Sequence, residues 1–486
     1  MSTTPSHTTI EEKAIYADVT PVNEILELSD EDKIIEKRAK RKVDFNLIPV
    51  FGALYMMSFL DRSNIGNANL TTFNKDLGLV GNQFGAAVSV VYATYVVFEP
   101  VWAVLMKIIT PKILLTGCTI CWSALCLGTA FIKNYPQLMA IRVLLGLFES
   151  GMIPVTTLYL TTTYMRHEYV SRQTVVFVFS AASSAFGGLL AYGLSHVDRA
   201  GLVGWQWIFL VEGLISFCLV PIAWFWVPNN VTEAWWLNDE DKRVWKIRQD
   251  INRRIYDDKE VFKWDWIWNV LKDYRLYVHA VSHFGIDCTL YSLTTFMPTI
   301  ISGLGFSTRV ESQLLTVPVY VIGALGYIVS GLLSSKYRIR GVFIAVALCF
   351  CLLGYILLAA VKAPGGRYAG VFIAAIGLYT TTSLHVLWCG DNWSGHYSRA
   401  FAMGFIQLVG NSSGACIGFI FTAQTAPYYH KGLYFDIGMT CMSLCCTLYM
   451  INYYRLANKK KRAAVEAGAS DDRDLGDKNP HYAYYL

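Results

Sequence analysis

Arg62 and Arg142 are the residues of this chain best suited to chemistry. Each lies well inside an apolar run long enough to cross a bilayer, and each has a carboxylate close in sequence: Asp61 adjoins Arg62, and Glu149 follows Arg142 by seven positions. A charge at mid-membrane costs about 3 kcal/mol on insertion scales, so one that persists faces a partner or a water-filled cavity. Residues seven apart return to nearly one helix face roughly 10 Å along the axis. Arg142 and Glu149 can therefore face the same cavity. The run holding Arg62 crosses in the opposite direction to the one holding Arg142, which would bring all four charges together. With both acids ionised the cluster is neutral. With Glu149 or Asp61 protonated it carries one positive charge, and an Arg is freed to take a carboxylate through its planar fork. A purely structural set of ion pairs is the weaker reading, because burying each ion costs several kcal/mol that pairing often fails to return.

Further candidates surround these four. Gln407 and Asn411 sit one turn apart, where amides either bridge helices or line a cavity. His279, His283 and Asp287 repeat every four residues and share one helix face; they either relay protons or make packing hydrogen bonds. Glu99 and Glu212 read as isolated acids. Trp388 and Tyr159 could stack on an aromatic ligand, though belt or core packing is the preferred reading. Small residues recur every fourth position at Ser180, Ser184 and Gly188 and again at Gly410, Gly414 and Gly418, ridges that let helices approach closely. The 12 Cys lie mostly in apolar runs, and the spacing of Cys118 and Cys121 has no second pair to complete a metal set. No metal and no cofactor is expected.

The elements that must position these groups are membrane helices. The chain has 486 residues, is 54% hydrophobic and 16% charged, and has positive mean hydropathy. That composition excludes an ordinary soluble enzyme. Apolar stretches near the 20 residues needed to cross hydrocarbon recur at about 45–66, 84–108, 113–132, 136–160, 174–195 and 205–227. They resume at about 276–301, 312–334, 341–361, 368–389, 400–423 and 433–454. The expected fold is all-α and polytopic, with twelve transmembrane helices in two six-helix halves. The expected divisions are an N-terminal tail (1–43), a first bundle (44–227), a linker (228–275), a second bundle (276–454) and a C-terminal tail (455–486).

Basic clusters precede the first span (Lys37, Arg38, Lys40, Arg41, Lys42) and follow the last (Lys459, Lys460, Lys461, Arg462). They place both tails on the cytoplasmic side. Anionic inner-leaflet lipid accounts for the net charge of +5, so no nucleic-acid partner is needed. The linker mixes acids, bases and several Trp and reads as amphipathic helices along the inner surface. Residues 1–32 are polar and acidic, without the apolar core of a signal peptide. Asn69-Leu70-Thr71 is a glycosylation sequon set very near the membrane.

The run DRSNIGNA (61–68) together with RVLLGLFESGMIP (142–154) resembles the anion:cation symporters of the major facilitator superfamily. GLLSSKYRIRG (331–341) is similar to the superfamily's basic loop, whereas the corresponding loop around Lys107 to Lys112 is degenerate. ATYVVFEP (93–100), FVFSAASSAFGGLLAYG (177–193), FGID (284–287) and DKNP (477–480) resemble the fungal allantoate permease branch. The resemblance covers nearly the whole chain beyond about residue 35. It implies a proton-coupled plasma-membrane importer of small carboxylates, with nicotinate, allantoate, pantothenate and biotin all open. It implies Arg62, Arg142 and Asn411, with Gln407 beside it, for substrate and Asp61 and Glu149 for protons; Asp287 is added from its His-rich face. Ser150 stands where the family commonly has Gly. The expected partners are the carboxylate, protons and lipid, and the expected state is a monomer. A nutrient sensor that binds the anion without net transport, or an exporter, would share these residues. No nucleophile motif, metal set or phosphate loop supports an enzyme.

Overall fold

A computed structural model describes residues 29–486, apart from 107, 200, 257–263, 306–310, 338, 395, 422–428 and 471–472. The stretch 1–28, Lys107 and Arg338, which entered the tail and loop expectations, lie outside the described residues. The described chain is helical and, beyond one isolated bridge between Arg199 and Leu202, holds no paired strand.

A single helical turn at Phe73–Asp76 apart, the helices in chain order are α1 (Asp30–Ala68), α2 (Gln83–Leu105), α3 (Pro111–Thr129), α4 (Tyr135–Glu149), α5 (Met152–Thr163), α6 (Arg166–Ser195) and α7 (Gly204–Trp226). Then come α8 (Asp239–Tyr256), α9 (Trp264–Lys272), α10 (Tyr274–Ser302), α11 (Glu311–Tyr337), α12 (Arg340–Ala360), α13 (Pro364–Asp391), α14 (His396–Ser412), α15 (Gly414–Ile420) and α16 (His430–Glu466). Helix starts carry ordinary signals. Pro111 and Pro364 stand in the first turns of α3 and α13, where the missing N–H is no loss. The Asn134 side chain accepts from Gln137 N at 3.1 Å, and Asp273 Oδ1 accepts from Arg275 N at 2.9 Å. α4 and α5 form one crossing of 29 residues. Pro154 leaves the Ser150 carbonyl without its helical partner, which loosens the helix just after Glu149.

Among the described residues eleven helical stretches are long and apolar enough to cross a membrane. The twelfth expected span, α10, has 29 residues but is less apolar. Most of its side chains, polar ones included, are buried among other helices. Neighbouring helices cover most of α10, which spares its polar groups a lipid environment.

The described chain divides into two compact units, 29–42 with 231–256, and 43–230 with 264–486. Within the first, Lys42 Nζ meets Asp241 at 2.6 Å, Arg38 meets Asp241 at 2.8 Å and Glu240 at 3.0 Å, and Arg248 meets Glu36 at 2.6 Å. Part of what reads in sequence as a linker lying on lipid thus pairs with the segment that precedes the first span, while α9 belongs to the second unit.

Within the second unit α2 packs on α4, α3 on α7, α10 on α14 and α16, and α12 on α13. The first six spans meet the last six through α6 with α11 and α2 with α15. Glycine makes these approaches possible. A Cβ on Gly85 would lie 1.8 Å from Gly418 O, and one on Gly66 would lie 2.1 Å from Thr295 O. Aromatic contacts fill the same junction: Tyr92 with Tyr291 at 4.6 Å and Phe84 with Phe296 at 6.5 Å.

The C-terminal tail is docked. Arg275 pairs with Asp477 at 2.6 Å, Trp388 Nε1 donates to Tyr485 O at 3.0 Å, and Gly341 N donates to Leu486 O at 3.0 Å. Asn392 exchanges hydrogen bonds with the backbone of Tyr485, and Asn458 with that of Tyr484.

Candidate functional site

α1 carries Asp61 and Arg62 side by side, and successive helix positions point about 100° apart. The two therefore face different surroundings. Arg62 Nε lies 2.9 Å from Glu149 Oε2, with side-chain exposures of 7% and 0%. The approach is off the hydrogen-bond axis, so it is an ion pair rather than an aligned hydrogen bond. The guanidinium also donates to Ser58 O at 3.3 Å and sits 4.8 Å from the Tyr95 ring centroid.

Asp61 turns the other way. Cys126 Sγ donates to Oδ1 at 3.3 Å and Ser216 Oγ donates to Oδ2 at 3.5 Å. Glu212, from α7, joins them: ligand atoms of Asp61, Cys126 and Glu212 lie within 4.8 Å of one another, all buried. Among the described residues neither Glu212 oxygen has an aligned hydrogen-bond partner, and the Asn64 side-chain amide acts on it. A thiol that keeps its proton to donate to Asp61 is not a thiolate ligand, and three donors fall short of a closed tetrahedral zinc set. The arrangement suits a proton held between two carboxylates better than a metal.

Arg142 is 2% exposed, with its guanidinium 6.0 Å from the Phe209 ring centroid. Its Nε and Nη2 have no hydrogen-bond partner. It lies near enough to Glu149 and Asp61 to act on both through space. The four charges expected to meet act on one another through space, with Arg62 in direct contact with Glu149 and Asp61 facing Glu212.

A cavity of about 80 Å³ opens on the Arg62 side. Its polar lining includes Arg62, Asp287, Gln407 and Asn411, and its apolar lining includes Tyr55, Phe59, Tyr95, Phe177 and Tyr291. Asn411 Oδ1 accepts from Tyr291 OH at 2.7 Å, and its Nδ2 donates to Glu99 Oε2 at 3.1 Å. Glu99 of α2 is therefore tied across to α14 rather than isolated. Gln407 Oε1 lies 3.4 Å from His283 Nε2, which is also 3.4 Å from Asp287 Oδ2. The four-residue spacing on α10 does bring His283 to Asp287. A Cβ on Gly410 would strike both, at 2.5 and 2.6 Å.

Arg142, Asp61 and Glu149 do not line this cavity, and neither do Trp388 and Tyr159. Trp388 is engaged with the C-terminal tail, and Tyr159 OH donates to Pro228 O at 2.9 Å. The aromatic walls come instead from α1, α2, α6, α10, α11 and α13, whose Tyr and Phe are too common in membrane helices to single out by sequence. His385, which sequence reasoning passed over, lies against His279 and His283.

A small polar-and-aromatic cavity with one buried Arg, between six-span halves, is the layout of a carrier with its site at mid-membrane. The family model for the Major Facilitator Superfamily matches residues 51–419. The chain is 38% identical over 456 residues to the high-affinity nicotinic acid transporter of Saccharomyces cerevisiae, covering 93% of this chain and 85% of that one. It is 30% identical over 470 residues to the major facilitator-type transporter hxnP of Emericella nidulans, covering 94% of each. Among solved structures, the partially occluded inward open xylose transporter XylE from E. coli superposes with a TM-score of 0.65 at 12% identity, covering 84% of this chain and 99% of that one. A bacterial homolog of the human lysosomal transporter Spinster gives 0.64 at 14%, covering 84% and 96%. At such identities the likeness to solved structures shows the fold alone. The chain is a multi-pass membrane transporter, not an enzyme, and it belongs to the Major Facilitator Superfamily.

Proposed function

We propose that this transporter imports a small organic carboxylate, with nicotinate the leading candidate, together with a proton. The observation that carries the reading is the buried Arg62–Glu149 pair at the edge of the cavity. A protonated Glu149 releases Arg62, and a substrate carboxylate takes its place, so proton and anion bind together without leaving a bare charge. Asn411 and Gln407 offer amide groups to the rest of the substrate, and the surrounding Tyr and Phe offer ring faces to a pyridine. Arg142 biases both acid pairs through its field. Asp61 with Glu212, and Asp287, are further proton-holding groups. The bundles 44–227 and 276–454 then rock about the cavity to change the side it faces. We place the protein in the plasma membrane as a monomer with both termini in the cytoplasm, in keeping with the basic clusters that flank its spans.

The test is uptake of labelled nicotinate into cells lacking their own permease, in acidic and in neutral medium, with the protein's surface level measured in parallel. Uptake stimulated by acid and abolished by Arg62→Ala is the expected result. A surface-located wild type that takes up no nicotinate would rule out that substrate, and a screen of other carboxylates would follow.

A further inference from the structure

Three histidines from two helices form a line through the second bundle. His283 Nε2 is 3.4 Å from Asp287 Oδ2, at the cavity wall. The His283 and His385 rings stack at 5.1 Å with planes 8° apart. His385 Nε2 is 3.4 Å from His279 Nδ1, and His279 Nε2 is 3.1 Å from Tyr454 OH. Tyr454 in turn packs on Tyr484 of the docked tail, with centroids 5.0 Å apart, and Tyr484 OH donates to Asp477 Oδ2 at 3.0 Å. All three histidines and Tyr454 have 0% exposure. The line runs from the substrate cavity to the end of the bundle where the C-terminal tail is docked.

We propose that His283, His385 and His279 are a proton path between Asp287 and Tyr454, a deepening of the proton-coupled reading on which it rests. Each imidazole accepts a proton at one nitrogen and releases one from the other, so the chain of transfers leaves every ring neutral and moves no electrons. His283 accepts at Nε2 from Asp287 and releases from Nδ1. His385 accepts at Nδ1 and releases from Nε2 to His279 Nδ1. His279 releases from Nε2 to the Tyr454 oxygen, which gives its own hydroxyl proton to water entering at the tail end of the bundle. The break in the line falls between the stacked rings, and among the described residues neither His283 Nδ1 nor His385 Nδ1 has a hydrogen-bond partner. A turn of either ring about its Cβ–Cγ bond closes that break and serves as the gating step.

The charged and titratable groups facing the line are few. Arg275 lies one turn before His279, but Asp273 and Asp477 both pair with it. Glu99 acts on Asp287 from α2, and Cys389 lies beside Arg275 on α13. None of them supplies a competing link between His283 and His279.

The first test needs no substrate. Full-length protein in vesicles, with labelled imidazoles, is followed by NMR for exchange of ring N–H protons with water. The expectation is that the three rings exchange together, and that His279→Phe slows exchange at His283 and His385 by about tenfold or more. Exchange at those rings unchanged by His279→Phe, or no faster than the backbone amides of α10 around them, would overturn the path. The second test compares accumulation of labelled nicotinate driven by a pH gradient with nicotinate exchange at equal pH. His385→Phe keeps the stacked ring but carries no proton. It should cut accumulation by about tenfold or more and leave exchange within about twofold. Accumulation that survives in His385→Phe would also overturn the proposal. A wild type that moves no nicotinate in either mode would reject the substrate, while the N–H exchange result still decides the path.

Discussion

Glu149→Gln separates competition from coupling at the cavity. In the wild type Glu149 and an incoming carboxylate want the same partner, the Arg62 guanidinium, and the existing pair is close at 2.9 Å and almost wholly buried. The amide of the variant mimics the protonated acid, keeping the shape and removing the charge. Arg62 then sits buried without a counter-ion, a state that costs about 3–5 kcal/mol when one partner of a buried pair is removed. A bound carboxylate recovers part of that cost. If it restores one charge-assisted contact, worth about 1.5–3 kcal/mol, nicotinate binds roughly 10- to 100-fold more tightly than to the ionised wild type. The sign with pH follows directly. Wild-type affinity rises as the medium is acidified, because protonation of Glu149 removes the competitor, and the variant binds tightly at every pH. Gradient-driven accumulation is lost all the same, since no proton is taken up at that position. Binding of labelled nicotinate to purified protein across neutral and acidic buffers, set beside uptake in vesicles, reads both effects. Weaker binding in Glu149→Gln at all pH values would refute the competition, because the carboxylate would then be a ligand or a brace rather than a rival.

Four other outcomes are expected. Asn411→Asp places a second acid against Glu99 and should raise the nicotinate KM by about tenfold or more, equivalent to about 1.4 kcal/mol, whereas unchanged kinetics would remove Asn411 from the site. Glu212→Gln removes one of two facing acids next to Asp61 and should flatten the pH profile of uptake without reducing surface expression; an unaltered profile argues that Asp61 holds its proton alone. Gly85→Val puts methyl groups where the Gly418 carbonyl would lie 1.8 Å from a Cβ, so α2 and α15 should no longer close. Thiol labelling of a Leu290→Cys reporter in the cavity should then speed up, and equal rates would show the contact is no barrier. Burial raises the Asp241 carboxyl, but hydrogen bonds from Lys42 and Arg38 outweigh it and hold it below its ordinary 3.8. The stability it lends α8 is therefore complete above that value and is lost as pH falls through the lower folded one. Hydrogen exchange of α8 in acid, with Asp241→Asn insensitive to that change, is the check.

The twelve-helix layout was legible because an apolar run near 20 residues has almost no other use. α10 shows the limit of that signal. Its polar residues are tolerable only because other helices cover it, and coverage is a property of the fold. Arg62, Arg142, Asp61 and Glu149 stood out because a charge in hydrocarbon is costly wherever it sits. That Asp61 also faces Glu212 was not legible, since it depends on α7 delivering that acid to the far side of α1. His385 was missed for the same reason. It lies 106 positions from His279, and only the packing of α13 against α10 sets the rings together. Glu99 read as isolated because its partner, Asn411, is 312 residues away. Local spacing predicted what one helix carries, as in the His283–Asp287 contact, and failed where two helices share a group.

The docked C-terminal tail acts as a strap over the second bundle. Through Asp477, Tyr484, Tyr485 and Leu486 it ties α10, α12, α13 and α16 at one end. Such a strap does for these helices what a cross-link does for a chain, reducing the freedom of ends that would otherwise splay independently. A bundle bound in this way tilts as one lever rather than helix by helix, so force applied at the cavity reaches the membrane face without being absorbed by bending. A fusion partner added at residue 486 would pull on the strap, softening the lever while leaving the cavity intact.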